Sequence, residues 1–324
     1  LDANTTTDNN TAVGTKALGA NLQSNNTAVG YLALTANTTG GNGVAVGKGA
    51  LESNTTANNN VAVGLRALNA NTTGADNTAM GRDALYVNTT GLNNTALGAF
   101  VLDANTTGGY STAVGANALG ANTTGGHNVA MGRFALKSNT TASSSVAIGN
   151  ETLNANTTGT QNTAVGHAAL LANTTAANCT AIGFYALKGN TTGASNTAVG
   201  AGALDANTTA SNNTAVGYNS LGSVITSQFN TAVGHTAGGS LTGGDNVCIG
   251  YSAGAYGSGT ITSGGSNTII GAYARSSGGT MSGELAIGRY VLGQGASTAT
   301  LGFNSNGATI SIDGSDTSWA AHSD

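Results

Sequence analysis

The residues that could do chemistry are few and far apart. Four histidines (His127, His167, His235 and His322), thirteen carboxylates and two cysteines are all that 324 residues offer for acid–base, nucleophilic or metal work. His167 and His235 fall at the same position of an internal repeat, four repeats apart. If repeats stack with a rise of about 4.8 Å, the two lie about 19 Å apart, too far to share a metal. Cys179 and Cys248 are also about four repeats apart, in different columns, and about 19 Å exceeds the roughly 7 Å Cα limit for a disulfide. They are expected as unpaired small side chains. No carboxylate pair recurs at a spacing suited to glycoside cleavage. The glycines do not form a phosphate loop between a strand and a helix. The expectation is no catalytic residue, no enzyme, no metal and no cofactor.

What positions every side chain is a repeat. An Ala-Val-Gly step ends at Gly14, Gly30, Gly47, Gly64, Gly81, Gly98, Gly115, Gly132, Gly149, Gly166, Gly183, Gly200, Gly217 and Gly234, and from Gly30 onward the spacing is 17 residues every time. Such a fixed period makes the chain quasi-one-dimensional. With that glycine as position 0, −4 is usually Asn, −3 Thr or Val, −2 Ala, and −1 Val, Ile, Met or Leu. Two variable residues follow, then Ala at +3, Leu at +4, a variable +5, a small +6 and Asn-Thr-Thr at +7 to +9. Glycine in every turn and short β-branched runs exclude a helix. Alternation places −1 and −3 on one side of a strand and Ala at −2 on the other. The pattern predicts an all-β parallel solenoid (β-roll) of about 17-residue coils. Each coil is expected to hold about two short strands and an interior of one Val-sized and one Leu-sized side chain. Constant Ala at −2 then predicts a strand packed on both faces, one of them against another chain, and so an oligomeric fibre.

Three organisational segments are expected: a regular solenoid over 1–217, uneven coils over 218–302, and a strand-and-turn cap or stalk over 303–324. Leu1-Asp2-Ala3-Asn4-Thr5-Thr6 reads as the second half of a repeat, so the chain is expected to be part of something longer. Charged residues make up 7% of the sequence and net charge is −4, which points away from a nucleic-acid partner. No apolar run approaches the roughly 20 residues that would insert in a membrane.

Two columns could carry recognition or structure. Asn-Thr-Thr recurs at Asn37, Asn54, Asn71, Asn88, Asn105, Asn122, Asn139, Asn156, Asn173, Asn190 and Asn207. Stacked copies predict a ladder of amide hydrogen bonds between coils. The triplet is also a formal glycosylation sequon. Ice binding is a third reading, weakened because Thr174 and Thr175 point opposite ways in an extended chain. The variable columns +1 and +2 gather bulky side chains: Tyr31, Arg66, Arg82, Phe100, Arg133, Phe134, Phe184, Tyr185, Tyr218 and Tyr251. Aromatic and Arg residues are enriched at binding hot spots, so these form a candidate recognition stripe. The competing reading is a wide corner or inter-chain seam where bulk simply fits.

Ser145-Val146-Ala147-Ile148-Gly149 and Asn128-Val129-Ala130-Met131-Gly132 resemble the repeats of YadA-like heads in trimeric autotransporter adhesins. Similar Asn-Thr-Ala-Val-Gly arrays occur in phage tail fibres. The resemblance covers about residues 1–302 and implies a homotrimeric, extracellular or virion-surface fibre that meets a cell-surface glycan or protein receptor. The chain departs from the adhesin pattern in its longer period and in its Asn-Thr-Thr corner. Ser318-Trp319-Ala320-Ala321-His322-Ser323-Asp324 resembles the junction before an endosialidase-type chaperone, which implies a processing end at Ser323 and Asp324. The expected job is a structural fibre for surface attachment. The alternatives are a filament without a receptor and, behind it, an ice-binding solenoid.

Overall fold

The computed structural model describes residues 7–257, 260–304, 306–311 and 320–321. Leu1 to Thr6, Trp319, His322, Ser323 and Asp324 lie outside the described residues, and with them the expected processing end. The chain divides into two compact units, Leu1–Asn162 and Thr163–Asp324. Both are all-β parallel solenoids with coils of about 17 residues, and neither contains a helix among the described residues.

In the first unit each coil contributes one three-residue strand: β1 (Thr11–Val13), β2 (Thr27–Val29), β3 (Val44–Val46), β4 (Val61–Val63), β5 (Thr78–Met80), β6 (Thr95–Leu97), β7 (Thr112–Val114), β8 (Val129–Met131) and β9 (Val146–Ile148). Each pairs in parallel with its copy in the next coil, in register. Val44, Ala45 and Val46 lie beside Val61, Ala62 and Val63.

The second unit continues the pattern through β10 (Thr163–Val165), β11 (Thr180–Ile182), β12 (Thr197–Val199), β13 (Thr214–Val216), β14 (Thr231–Val233), β15 (Val247–Ile249), β16 (Thr268–Ile270) and β17 (Leu285–Ile287). It closes with β18 (Thr298–Phe303), β19 (Asn306–Ser311) and β20 (Ala320–Ala321). β17 pairs with β18 in parallel, but β18 and β19 form an antiparallel hairpin. The hairpin covers the β18 edge that another coil would otherwise extend.

Two features differ from the sequence expectation. One strand forms per coil, not two. The segment after each glycine is driven out of extended geometry by residues at +2 and +4 in the left-handed region. Arg66 has φ 55° and Leu68 φ 51°. This stretch still bonds coil to coil: Leu51 N–H donates to Ala67 O at 3.0 Å and Ser53 N–H to Asn69 O at 2.9 Å. A left-handed Leu costs about 1–2 kcal/mol, but its fully buried side chain returns about 2–3 kcal/mol. A β-branched residue would strain further at that φ, which explains why the column is Leu and never Val or Ile.

The second difference is the direction of the strand. Ala at −2 points inward and is fully buried, as Ala62, Ala96 and Ala130 show. Residues at −1 and −3 point outward. The coil interior is filled by Ala at −2, Ala at +3, Leu at +4 and the Asn columns. It has no room for the Val-sized group the sequence reading placed there. Constant Ala is therefore explained by the narrow interior and not by a second chain against that face.

The irregular coils show the same volume rule. Where Gly238 and Gly254 replace Leu at +4, Leu241 and Ile261 are fully buried instead. Where Arg275 replaces it, Ile269 fills position −2 and is fully buried.

Candidate functional site

The Asn-Thr-Thr column lies inside the coil. Asn54 Nδ2 donates to Asn37 Oδ1 at 2.8 Å and to Ala57 O at 3.1 Å. Asn88 does the same toward Asn71 Oδ1 and Gly91 O, each at 2.9 Å. Asn105, Asn122, Asn139 and Asn156 repeat the geometry in the first unit. Asn190 and Asn207 repeat it in the second, where Asn173 Oδ1 accepts from Asn190. A glycan on these sequons would need a nitrogen that is buried and whose two hydrogens are already donated. Thr at +8 spends its hydroxyl on the next coil, Thr72 Oγ1 donating to Thr89 O at 3.0 Å. That removes it from any exposed Thr array. The ladder ends at Asn207, because the next coil carries the buried Val224. Asn207 Oδ1 is left buried without a donor.

A second ladder at −4 was not expected. Asn60 Oδ1 accepts from Asn77 N–H at 2.9 Å, and Asn60 Nδ2 donates to Gly74 O at 2.9 Å. The signal was present, since −4 is nearly always Asn, but a side chain just before a strand reads as a turn residue. Cys179 sits in this column, buried, with its thiol toward Gly193 O. Cys248 takes an Ala position at −2. Neither is in a disulfide, and burial pushes the Cys248 thiol up to about 12. Glu284 ends the −4 ladder. It is buried, and its carboxylate accepts from the Ser276 and Ser277 hydroxyls, Ser277 N–H and Gly295 N–H.

The +1 side chains lie outside and those at +2 are mostly half-buried, with Asp83 and Ala168 buried, and the structure divides them into patches. In the first unit cations cover rings. Arg82 lies 4.3 Å over Phe100, Arg133 4.0 Å over Phe134, and Lys48 5.9 Å over Tyr31. Arg66 pairs with the Asp83 carboxylate at 2.8 Å and stacks on Tyr86. In the second unit rings meet rings, and cations cover two of them, Lys188 lying 4.3 Å over Tyr185 and Arg289 4.8 Å over Tyr290. Tyr218, His235 and Tyr251 follow one another at 5.0 Å, and Tyr273 and Tyr290 continue the column at 5.0 and 4.6 Å. Phe184 and Tyr185 form a separate cluster with His167. His167 and His235 thus join the stripe as stacking partners. Within the run Tyr218, His235 and Tyr251 lie nearly face to face, at 23° and 6°, whereas Tyr273 meets Tyr251 at 57°.

A further outward feature was missed. Position −1 forms a ridge of large apolar side chains: Val29, Met80, Leu97, Met131 and Ile148 in the first unit, and Ile182, Val233, Ile249 and Leu301 in the second, each between 36% and 47% exposed. The sequence signal was the apolar column itself, assigned to the wrong side of the strand. Position −5 carries a lesser stack, with Tyr110 and His127 at 5.0 Å and 1°. Among the described residues no group of three or more His, Cys, Asp or Glu is placed to hold a metal ion, and no helix is long and apolar enough to cross a membrane. No protein-family model, no curated protein and no solved structure matches the chain.

Proposed function

We propose that the chain is a section of a surface-attachment fibre, of the tail-fibre or adhesin type, in which solenoids associate side by side as a homo-oligomer, a trimer being what the resemblance to adhesin heads implies. The observation that carries this is the ridge at −1. Strands three residues long, stacked in register, line up one large apolar side chain per coil on the outer face. Contiguous exposed apolar surface of this kind marks an interaction site, and identical ridges suit a self-complementary partner. Parallel chains would repeat every outward column around the fibre, so weak contacts to a cell-surface glycan or protein receptor sum. Such a fibre works outside the cell or on a virion surface, and its solenoid does mechanical work with no catalysis. Native mass spectrometry combined with a cell-attachment assay tests the reading. The expected result is a discrete oligomer that attaches saturably. A stable monomer removes the assembly, and an oligomer that attaches to no cell supports the plain filament.

A further inference from the structure

The aromatic column of the second unit has a gap that its neighbours define. Phe184, Ala201 and Tyr218 occupy position +1 in three successive coils. His167 and Tyr185 pack against Phe184 at 5.5 and 3.9 Å and lie 5.6 Å from each other, so both sit toward one side of it, and His235 covers one face of Tyr218 at 5.0 Å. The coil between them supplies Ala201 and Gly202 and no ring. Two coil rises leave about 10 Å between the flanking rings. The result is a cleft of about 180 Å³ walled by Phe184, Tyr185 and Tyr218 and floored by Ala201 and Gly202, with Asp205 and Asn219 at its edge. Gly202 leaves the floor bare where Tyr185, at +2 of the coil before, carries a ring at a similar φ of 59°. The φ of Gly202 is +67°, and a Cβ would lie 2.1 Å from Asn219 Oδ1.

Asp205 and Asn219 also line an adjoining polar hollow of about 470 Å³, together with Ser223, Thr236 and Ser240. The hollow opens because Gly222 and Gly239 occupy +5 in the next two coils. Partial burial pushes the Asp205 carboxyl up, against the pull of the Ala206 and Asp205 backbone N–H groups and Lys188. A carboxylate short of water is a strong acceptor for hydroxyl donors. The same Asp, Asn and Gly succession recurs in the first unit as Asp103, Asn117 and Gly120, around a hollow of about 310 Å³.

We infer that the cleft and its hollow form a glycan-binding site, with one gluco-configured hexopyranose ring held between Phe184 and Tyr218 and the adjoining sugar over Asp205 and Asn219. Aromatic faces on both sides demand a ring with axial C–H bonds on both faces, which the all-equatorial gluco configuration provides and an axial hydroxyl removes. Carbon contacts at about 4 Å on each side need about 8–9 Å between the rings, which two coil rises of about 4.8 Å accommodate. The neighbouring stacked rings, 5.0 Å apart, admit nothing between them. The inference deepens the attachment reading and rests on it for its biological sense.

Saturation-transfer NMR on the whole chain tests the site with methyl β-glucopyranoside, N-acetylglucosamine, cellobiose and methyl β-galactopyranoside. The expected result is a Kd of about 1 mM for the glucoside, about tenfold tighter for cellobiose. The galactoside should be weaker than either. Ala201→Tyr fills the slot with a ring that Phe184 and Tyr218 show the column accepts, and should abolish the signal. Tyr218→Ala, at an exposed position, should weaken it about tenfold and decides the matter if the first variant does not fold. Binding retained in either folded variant, equal binding of the galactoside, or no binding of any probe overturns the proposal. Cell attachment separates the two readings: attachment undiminished in Ala201→Tyr sinks the glycan site alone, while glucoside binding without cell attachment sinks the attachment reading alone.

Discussion

At position 0 only a hydrogen fits. Gly81 has φ +140°, and a Cβ there would lie 2.2 Å from the Gly98 carbonyl oxygen of the next coil. Neither backbone can retreat, because each is bonded to the coils beside it. Gly81→Ala should therefore destabilise the first unit by about 3 kcal/mol or more, combining a forbidden φ with a steric clash, read by denaturant unfolding. The buried ladder makes a second residue-scale prediction. Asn88 donates twice and accepts from Asn105 at 2.7 Å. Asn88→Ala leaves Asn71 Oδ1 without its donor and removes one of two hydrogen bonds each from Gly91 O and Asn105 Nδ2, and should cost about 2–4 kcal/mol. Thr90→Ala, exposed in the same triplet, should change stability by less than about 0.5 kcal/mol. Equal effects would mean that the ladder contributes nothing beyond its neighbours.

At the scale of the element, the period, the parallel stacking and the Asn column were legible in the sequence, because a strict repeat can only be satisfied by stacking like on like. The strand's orientation was not. Alternation separates −2 from −1 and −3 but does not say which set faces inward, and hydrophobicity favoured the Val, Met and Ile column. Volume decides otherwise: Leu at +4 and two Asn ladders leave only a methyl's space beside the strand. The left-handed residues at +2 and +4 were equally hidden, since Arg, Phe and Leu carry no turn signature, and with them went the second strand. The same silence concealed the cleft, because an Ala–Gly pair in a variable column gains meaning only once the rings above and below are placed. The volume rule is testable in β6. Ala96→Ile should destabilise by about 1–3 kcal/mol through overpacking, and Leu102→Ala alone by about 2–5 kcal/mol through the cavity it leaves. Together they should cost less than their sum, because the pair recreates the arrangement of Ile269, buried where Arg275 stands at +4. Simple additivity in a double-mutant cycle would show that −2 and +4 do not share one space.

At the scale of the molecule, the question is why a chain with 7% charged residues keeps a row of large apolar groups on its surface. A solitary solenoid gains nothing from Met80, Leu97 or Met131 facing water, and Thr or Lys at −1 would serve a parallel strand as well. A stack of in-register coils cannot hide this column by folding, because its interior is already full. In the fibre proposed above a second surface covers it, and the ridge's own repetition makes another copy the simplest complement. Leu97→Glu with Met131→Glu places two charges on β6 and β8, with β7 between them, outside the core and away from both Asn ladders. The coils should remain folded, with an unchanged β-type circular dichroism spectrum. The particle mass in native mass spectrometry should fall to that of one chain, since burying an unpaired carboxylate in an apolar seam costs several kcal/mol per copy. Survival of the assembly with both charges in place would move the seam to another face, with the aromatic columns at +1 and +2 the next surface to test.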